Sequence, residues 1–204
     1  VCQRLGDILE SRPDLLILAH GETIRFTREG FTLLNEYLRD GGACILVQPQ
    51  DTDGNIPEDF CDLVGFRYHE SADQTPEFSL YERHPLTRVH SAVRGEALLP
   101  HRTWWSSMRL TATDADVLMR FMDTGLADLL VSKRTHCAIF ASDVFDDVSR
   151  HFRHPGYFEY HDFLGRLVAN ICRNFLYGNG LSQPLSKQYR QMEPYFYACS
   201  LGMR

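Results

Sequence analysis

Residues 14–47, DLLILAHGETIRFTREGFTLLNEYLRDGGACILV, decide the fold. Leu15 to Ala19 is a continuous apolar run, the pattern of a strand buried on both faces of a parallel sheet. From Thr27, a good N-cap, the residues Phe31, Leu34 and Leu38 recur at helical spacing, Glu29 falls in the first turn, and Gly41-Gly42 stops the helix. Ala43 to Val47 is a second apolar strand. Together these predict a βαβ unit with a right-handed crossover. Its chemistry belongs at the strand ends, where open α/β sheets gather ligands.

Working outward, Gln3 to Glu10 predicts a short helix before the first strand, and Arg12-Pro13-Asp14 a loop between them. After Val47, Gln48 to Asn55 is polar and turn-rich, and Ile56 to Val64 predicts a helix closed by Gly65. Phe66 to Thr113 has no sustained period and reads as an irregular excursion around a sheet edge, with Phe78 to Tyr81 and Ala97 to Leu99 as short strands within it. Val117 to Met122, Asp128 to Ser132 and Cys137 to Ala141 are strands whose connections are too short for crossover helices, so they form an antiparallel meander. Asp143 to Tyr160 is a polar, aromatic, His-rich stretch. Phe163, Leu164, Leu167, Val168, Ile171, Cys172 and Phe175 then mark a helix ended by Gly178-Asn179-Gly180. This organises the chain as a domain of residues 1–180 and a C-terminal tail, 181–204.

With 204 residues, 44% hydrophobic and 24% charged, the chain can bury a full core. A net charge of −6 argues against a phosphate-backbone binder, which needs clustered Lys and Arg, so nucleic acid is not an expected partner. No run approaches the roughly 20 apolar residues of a membrane helix, and no charged n-region with an apolar h-region opens the chain, so a membrane is not expected either. The start at Val1, without methionine and with only a short helix before the first strand, reads as a fragment of something longer. Six cysteines, Cys2, Cys44, Cys61, Cys137, Cys172 and Cys199, are scattered without a CxxC pair. Three of them lie in apolar runs, which points to reduced thiols and a cytoplasmic setting; the alternative is an exported domain whose signal has been removed.

The pattern PDLLILAHGE…F…EGFTLLNEYLRDGGACILV resembles the class I glutamine amidotransferase-like superfamily, in particular the β-galactosidase trimerisation-domain and ThuA-like branches. In those branches a strand is followed by a helix ending in a Y(V/L)xxGG step and an apolar strand; here the step is Tyr37-Leu38-Arg39-Asp40-Gly41-Gly42. Further echoes are HPLT at His84 to Thr87 and the late CAIFASDVFDD strand. The resemblance covers most of residues 12–177. It implies a three-layer α/β domain of flavodoxin-like type, with a partly parallel central sheet, an antiparallel extension and a C-terminal helix.

Departures from the family are informative. Catalytic members carry a cysteine in a strand-to-helix elbow, where the nucleophile projects toward oxyanion-holding N–H groups, and a histidine base after a late strand. At the matching places this chain has Gln48-Pro49-Gln50 and Ser142-Asp143, while its nearest thiol, Cys44, falls inside the strand. The family's usual strand before residue 12 has no counterpart here.

Candidate sites follow from location and chemistry. His20-Gly21-Glu22 lies beyond a strand's carboxyl end, either as a ligand site or as a polar loop. Gln48, Gln50 and Asp51 share that rim, and neutral amides suit the hydroxyl groups of a carbohydrate-like small molecule. Trp104-Trp105, beside Arg102 and Arg109, can stack on a sugar ring or partner surface, or pack at an edge. His151, His154 and His161 with Asp143, Asp146, Asp147 and Asp162 are the donor types a divalent metal prefers, but their spacing matches no helical motif such as HExxH, and the interleaved aromatics fit a tucked loop equally. The tail's Tyr189, Met192, Tyr195, Phe196 and Tyr197 must cover their own domain or dock on another chain, in a homo-oligomer or a parent protein.

Two functions are compatible with these residues. One is a non-catalytic ligand-binding or subunit-assembly domain of a carbohydrate-related protein, with no cofactor. The other is a ThuA-like hydrolase or sugar-modifying enzyme using His20, Glu22 and Asp143 as acid–base or metal groups.

Overall fold

The computed structural model describes residues 2–18, 26–50, 54–71, 77–82, 84–87, 101–103, 107–143 and 157–178. In chain order the elements are α1 (Cys2–Glu10), β1 (Leu16–Leu18), α2 (Arg28–Arg39), β2 (Ala43–Val47), α3 (Glu58–Val64), β3 (Phe66–Ser71), β4 (Glu77–Tyr81), a 3₁₀ turn (Pro85–Thr87), β5 (His101–Thr103), β6 (Met108–Ala112), β7 (Ala115–Phe121), β8 (Ala127–Ser132), β9 (His136–Phe140) and α4 (Tyr157–Tyr177).

One mixed sheet carries all nine strands, in the order β1-β2-β9-β8-β7-β4-β5, with β3 paired to β6 and β6 to β8. β1, β2 and β9 are parallel, with Ile17 opposite Ile45 and Ile45 opposite Ala138. From β9 onward every pairing is antiparallel, including the predicted meander β7-β8-β9.

β2 is buried along its whole length, and its alternation divides the core. Cys44 and Leu46, with Cys137 and Ile139 of β9, face α1, α2 and α3 through Leu5, Phe31, Leu34, Leu38, Phe60 and Val64. Ala43, Ile45 and Val47, with Ala138 and Phe140, face α4 through Leu164, Leu167, Ile171 and Phe175. Helices thus cover both faces of the sheet, the three-layer α/β architecture expected from the apolar runs.

The YLRDGG step is a device with separable parts. Thr27 caps α2 by accepting from the Gly30 N–H (3.1 Å). At the other end the Gly42 N–H donates to Tyr37 O (2.9 Å) and the Gly41 N–H to Leu38 O (3.2 Å), a Schellman closure that places Gly41 at φ 87°. Gly42 is required for another reason: a Cβ there would overlap the Tyr37 ring. That ring lies flat against the turn so that its hydroxyl can accept from the Ala43 N–H (3.1 Å) and donate to Pro13 O (2.8 Å). One phenol therefore ties the end of α2 to the start of β2 and to the loop before β1. Burial raises its pKa.

Several expectations are corrected. Among the described residues of 66–113 the chain is not irregular, because β3 and β6 form an antiparallel pair there and β4 and β5 another. Their signal is weak in sequence because β3 buries only Phe66 among its first residues, while Arg67, His69 and Glu70 are exposed. The predicted Phe78 to Tyr81 strand is part of β4, whereas Ala97 to Leu99 lies outside the described residues. The last helix starts at Tyr157, so Tyr157 to Tyr160, read as the end of the polar stretch, are helical, as is His161. α3 starts at Glu58, with Pro57 as its N-cap and Glu58 and Asp59 in its first turn. Leu15 precedes β1 and is not part of it, and Ala19 lies outside the described residues.

Replacing Tyr37 by Phe removes the hydroxyl's bonds to Pro13 O, Ala43 O and the Ala43 N–H and is expected to lower stability by about 1–2 kcal/mol in urea denaturation. Gly42→Ala must move the ring itself and is expected to cost more, roughly 2–4 kcal/mol. Equal stability of wild type and Gly42→Ala would remove the clamp from this account.

Candidate functional site

The carboxyl ends of β2 and β9 form the rim at which the sequence places its candidates. Gln48 follows β2 directly and adopts φ 45°, a left-handed conformation that costs a non-glycine residue about 1–2 kcal/mol. Its backbone N–H donates to Phe140 O (2.9 Å), and its side-chain Nε2 donates to Ala141 O (3.1 Å). The strand thus ends in a strained elbow whose residue is buried and turned back onto β9. Gln50 donates from Nε2 to the Tyr68 hydroxyl (2.9 Å), which in turn donates to Gly54 O (2.7 Å). Both rim amides spend donors on their own chain, which ties the loop after β2 to β3.

Next to this elbow lies a buried polar cluster. Asp128, on β8, is fully buried, and its Oδ1 accepts from the Ser142 hydroxyl (2.5 Å) and from the Ser142 backbone N–H (3.1 Å). The Ala141 N–H donates to the Asp128 backbone carbonyl (2.6 Å), and the Met108 N–H to Ala141 O (2.9 Å). Tyr81, on β4, is buried near enough to Asp128 to feel its carboxylate. Burial first, and that carboxylate second, push its phenol far up, so it stays protonated. Ser79, Ser107 and Asp143 are also buried. A carboxylate in a sheet interior requires donors, and Ser142 supplies two of them to one oxygen.

Chemically, Ser142 and Asp128 form a hydroxyl–carboxylate pair, but the hydroxyl is 1% exposed and its proton is already directed at the carboxylate. The pair locks the end of β9 and does not project a nucleophile. Cys44 lies within β2, fully buried, its Sγ 3.4 Å from that of Cys137 on β9. Burial raises the Cys137 thiol well above its usual range. Cys61 and Cys172 are also free thiols, both raised by burial, Cys61 to about 11.

Of the sequence candidates, the structure brings Gln48 and Asp143 to the rim beside Ser142, with Gln50 on the adjoining loop. His20, Gly21, Glu22, Asp51, Trp104, Trp105, His151 and His154 lie outside the described residues, and for His161 only the helix position is described. Among the described residues no group of three or more His, Cys, Asp or Glu could hold a metal ion, and no helix is long and apolar enough to cross a membrane. Sequence reasoning missed Asp128 and Tyr81; the available signal was a lone carboxylate inside the otherwise apolar run ADLLV. HPLT proves to be a packing turn: the Thr87 hydroxyl accepts from the His84 N–H (3.0 Å) and donates to Glu82 O (2.6 Å), and Leu86 is buried on the α4 side.

A three-layer α/β domain whose strand β2 ends in a left-handed turn at Gln48 is the class of protein that fold and rim define. No family model matches the chain, and no curated protein matches it in sequence. Solved structures do share its fold. α-L-fucosidase isoenzyme 2 from Paenibacillus thiaminolyticus is similar over 80% of this chain and 25% of its own, with 16% identity and a TM-score of 0.53. The β-galactosidase from Bacillus circulans sp. alkalophilus is similar over 80% of this chain and 23% of its own, at 16% identity and a TM-score of 0.52. A ThuA-like protein from Bacteroides uniformis is similar over 79% of this chain and 69% of its own, at 12% identity and a TM-score of 0.51. The chain thus spans about a quarter of the two glycosidases and over two thirds of the ThuA-like protein.

Ser142→Ala is expected to lower stability by about 1–3 kcal/mol, and Asp128→Ala, which strands two buried donors, by about 2–4 kcal/mol. The double variant is expected to cost less than the sum, because both changes remove the same bonds. Urea denaturation of the three proteins measures this; strict additivity would show that the two residues act separately.

Proposed function

We propose that this chain is a non-catalytic, amidotransferase-like domain that serves ligand binding or subunit assembly in a carbohydrate-related, cytoplasmic protein. The observation that carries this reading is the elbow after β2, where Gln48 occupies the nucleophile position at φ 45° with its amide committed to Ala141 O. An elbow is worth its strain when it projects a reactive atom; here the side chain at the left-handed position is used as a tie. The buried Cys44 and the carboxylate-bound Ser142 support the same reading. The carbohydrate setting rests on fold likeness to the two glycosidases and the ThuA-like protein. The four free thiols among the described residues favour a reducing compartment.

The reading is tested by assaying the purified protein for turnover of nitrophenyl glycosides, nitrophenyl esters and glutamine, with and without added divalent metal. Sugar binding by calorimetry and sedimentation velocity complete the comparison. The expected result is no turnover above that of the Gln48→Ala variant, together with saccharide binding or a defined oligomer. Metal-dependent turnover that falls at least about tenfold in Asp143→Asn would overturn it in favour of a ThuA-like hydrolase or sugar-modifying enzyme.

A further inference from the structure

Three helices end on one cavity. α1 closes at Glu10, α2 at Arg39 and α4 at Tyr177. A residue from the last turn of each, Glu10, Glu36 and Leu176, lines a space of about 680 Å³ that also meets Ala43 and His136, the first residues of β2 and β9. That volume suits a small ligand or a few side chains of a partner. Each helix turns the negative end of its dipole toward the space, where the last carbonyls favour a cation. The arrangement follows from the fold, because helices that connect parallel strands finish where those strands begin.

The side chains add to this field instead of offsetting it. Asp14 and Asp40 join Glu10 and Glu36 in the wall, four carboxylates against one guanidinium, Arg12. Glu10 and Glu36 lie in the last turns of their helices and Asp40 is the C-cap of α2, positions where the dipole disfavours an anion. Arg39, the basic residue that suits the end of α2, is not part of the wall. Three carboxylates set against helix dipoles at one place break a local rule together, and such breaks fall at functional positions. The wall is also apolar in part, through Leu9, Leu33 and Phe175, whose ring stacks on His136 at 5.7 Å between centroids. Beside them Leu176 is 39% exposed and Tyr177 77%.

We infer that this cavity is a docking site for a basic segment of a partner protein. A lysine or arginine of the partner enters among the carboxylates, and an apolar neighbour in the same segment covers Leu176 and Tyr177. Charge complementarity selects the occupant: carboxylates and helix carbonyl ends repel acidic or phosphorylated segments, whatever their shape. The apolar wall and the exposed residues beside it select a peptide over a bare metal ion, which has nothing to lay against them. Charge then sets which partner binds, and apolar contact supplies the hold. The inference gives the proposed assembly role a surface and a partner chemistry, and rests on that reading.

Fluorescence anisotropy of the full chain with three labelled, amidated decapeptides tests this. One contains lysine, leucine and serine, the second has glutamate for every lysine, and the third has serine for every leucine. The first is expected to bind saturably, one per chain, at physiological ionic strength, and the other two at least about fivefold more weakly. Glu36→Gln with Asp40→Asn should weaken the first peptide by at least about fivefold. Glu70→Gln with Asp123→Asn, which removes the same charge from exposed positions outside the cavity wall, should change it less than about twofold. The Glu36 and Asp40 variant should resist urea at least as well as wild type, because it relieves the conflict with the α2 dipole, so its lost binding is not lost folding. Equal weakening by the two double variants would reduce the effect to net charge and overturn the site. Equal binding of the leucine-free peptide would do the same. Absence of saturable binding would overturn the docking site and leave the non-catalytic reading standing, whereas turnover with peptide binding intact would overturn that reading alone.

Discussion

Everything in this fold depends on β2 being closed in on both faces. Its five residues have no solvent-facing side, so each must satisfy one of two helical layers, and the alternation of Cys44 and Leu46 with Ala43, Ile45 and Val47 assigns α1–α3 to one face and α4 to the other. A slip of one residue in its pairing would exchange the two sets, so register is strongly specified. Tyr37 holds the start of the strand and Gln48 its end. With the strand so fixed, the neighbouring β1 and β9 inherit both direction and register.

The two ends of β2 differ in how polar groups are handled. At the amino end, backbone groups of the turn and the loop before β1 meet on a single phenol, which can act as donor and acceptor at once. At the carboxyl end the solution is a network of Gln48, Ala141, Ser142 and Asp128 across three strands. Such networks rigidify only when their members are satisfied. Here the hydrogen bonds of Gln48 and Ser142 join β2, β9 and β8.

The sequence and the structure agree best where burial is two-sided. Leu15 to Ala19 and Ala43 to Val47 were legible because a strand covered on both faces admits only apolar residues, and α2 because its cap, stripe and glycines concur. β3 and β6 were illegible because one face of that ribbon meets solvent and dilutes the period. At the rim, Gln48 was legible as a departure from a catalytic elbow, whereas the partnership of Ser142 with Asp128 was not. Fourteen positions separate the two residues, and only the antiparallel pairing of β8 with β9 brings them together.

By itself, then, the chain determined its class of architecture, the βαβ unit at its start, the meander near its end and the lack of a cysteine at the elbow. These are written in local periodicity and in the identity of single residues. Only the tertiary structure decided that β9 lies beside β2, that the elbow residue is turned inward and that Asp128 is buried against Ser142. Each of these depends on contacts between segments far apart in sequence, and hydrophobic pattern, being a property of neighbours along the chain, carries no record of which distant strand will supply the partner.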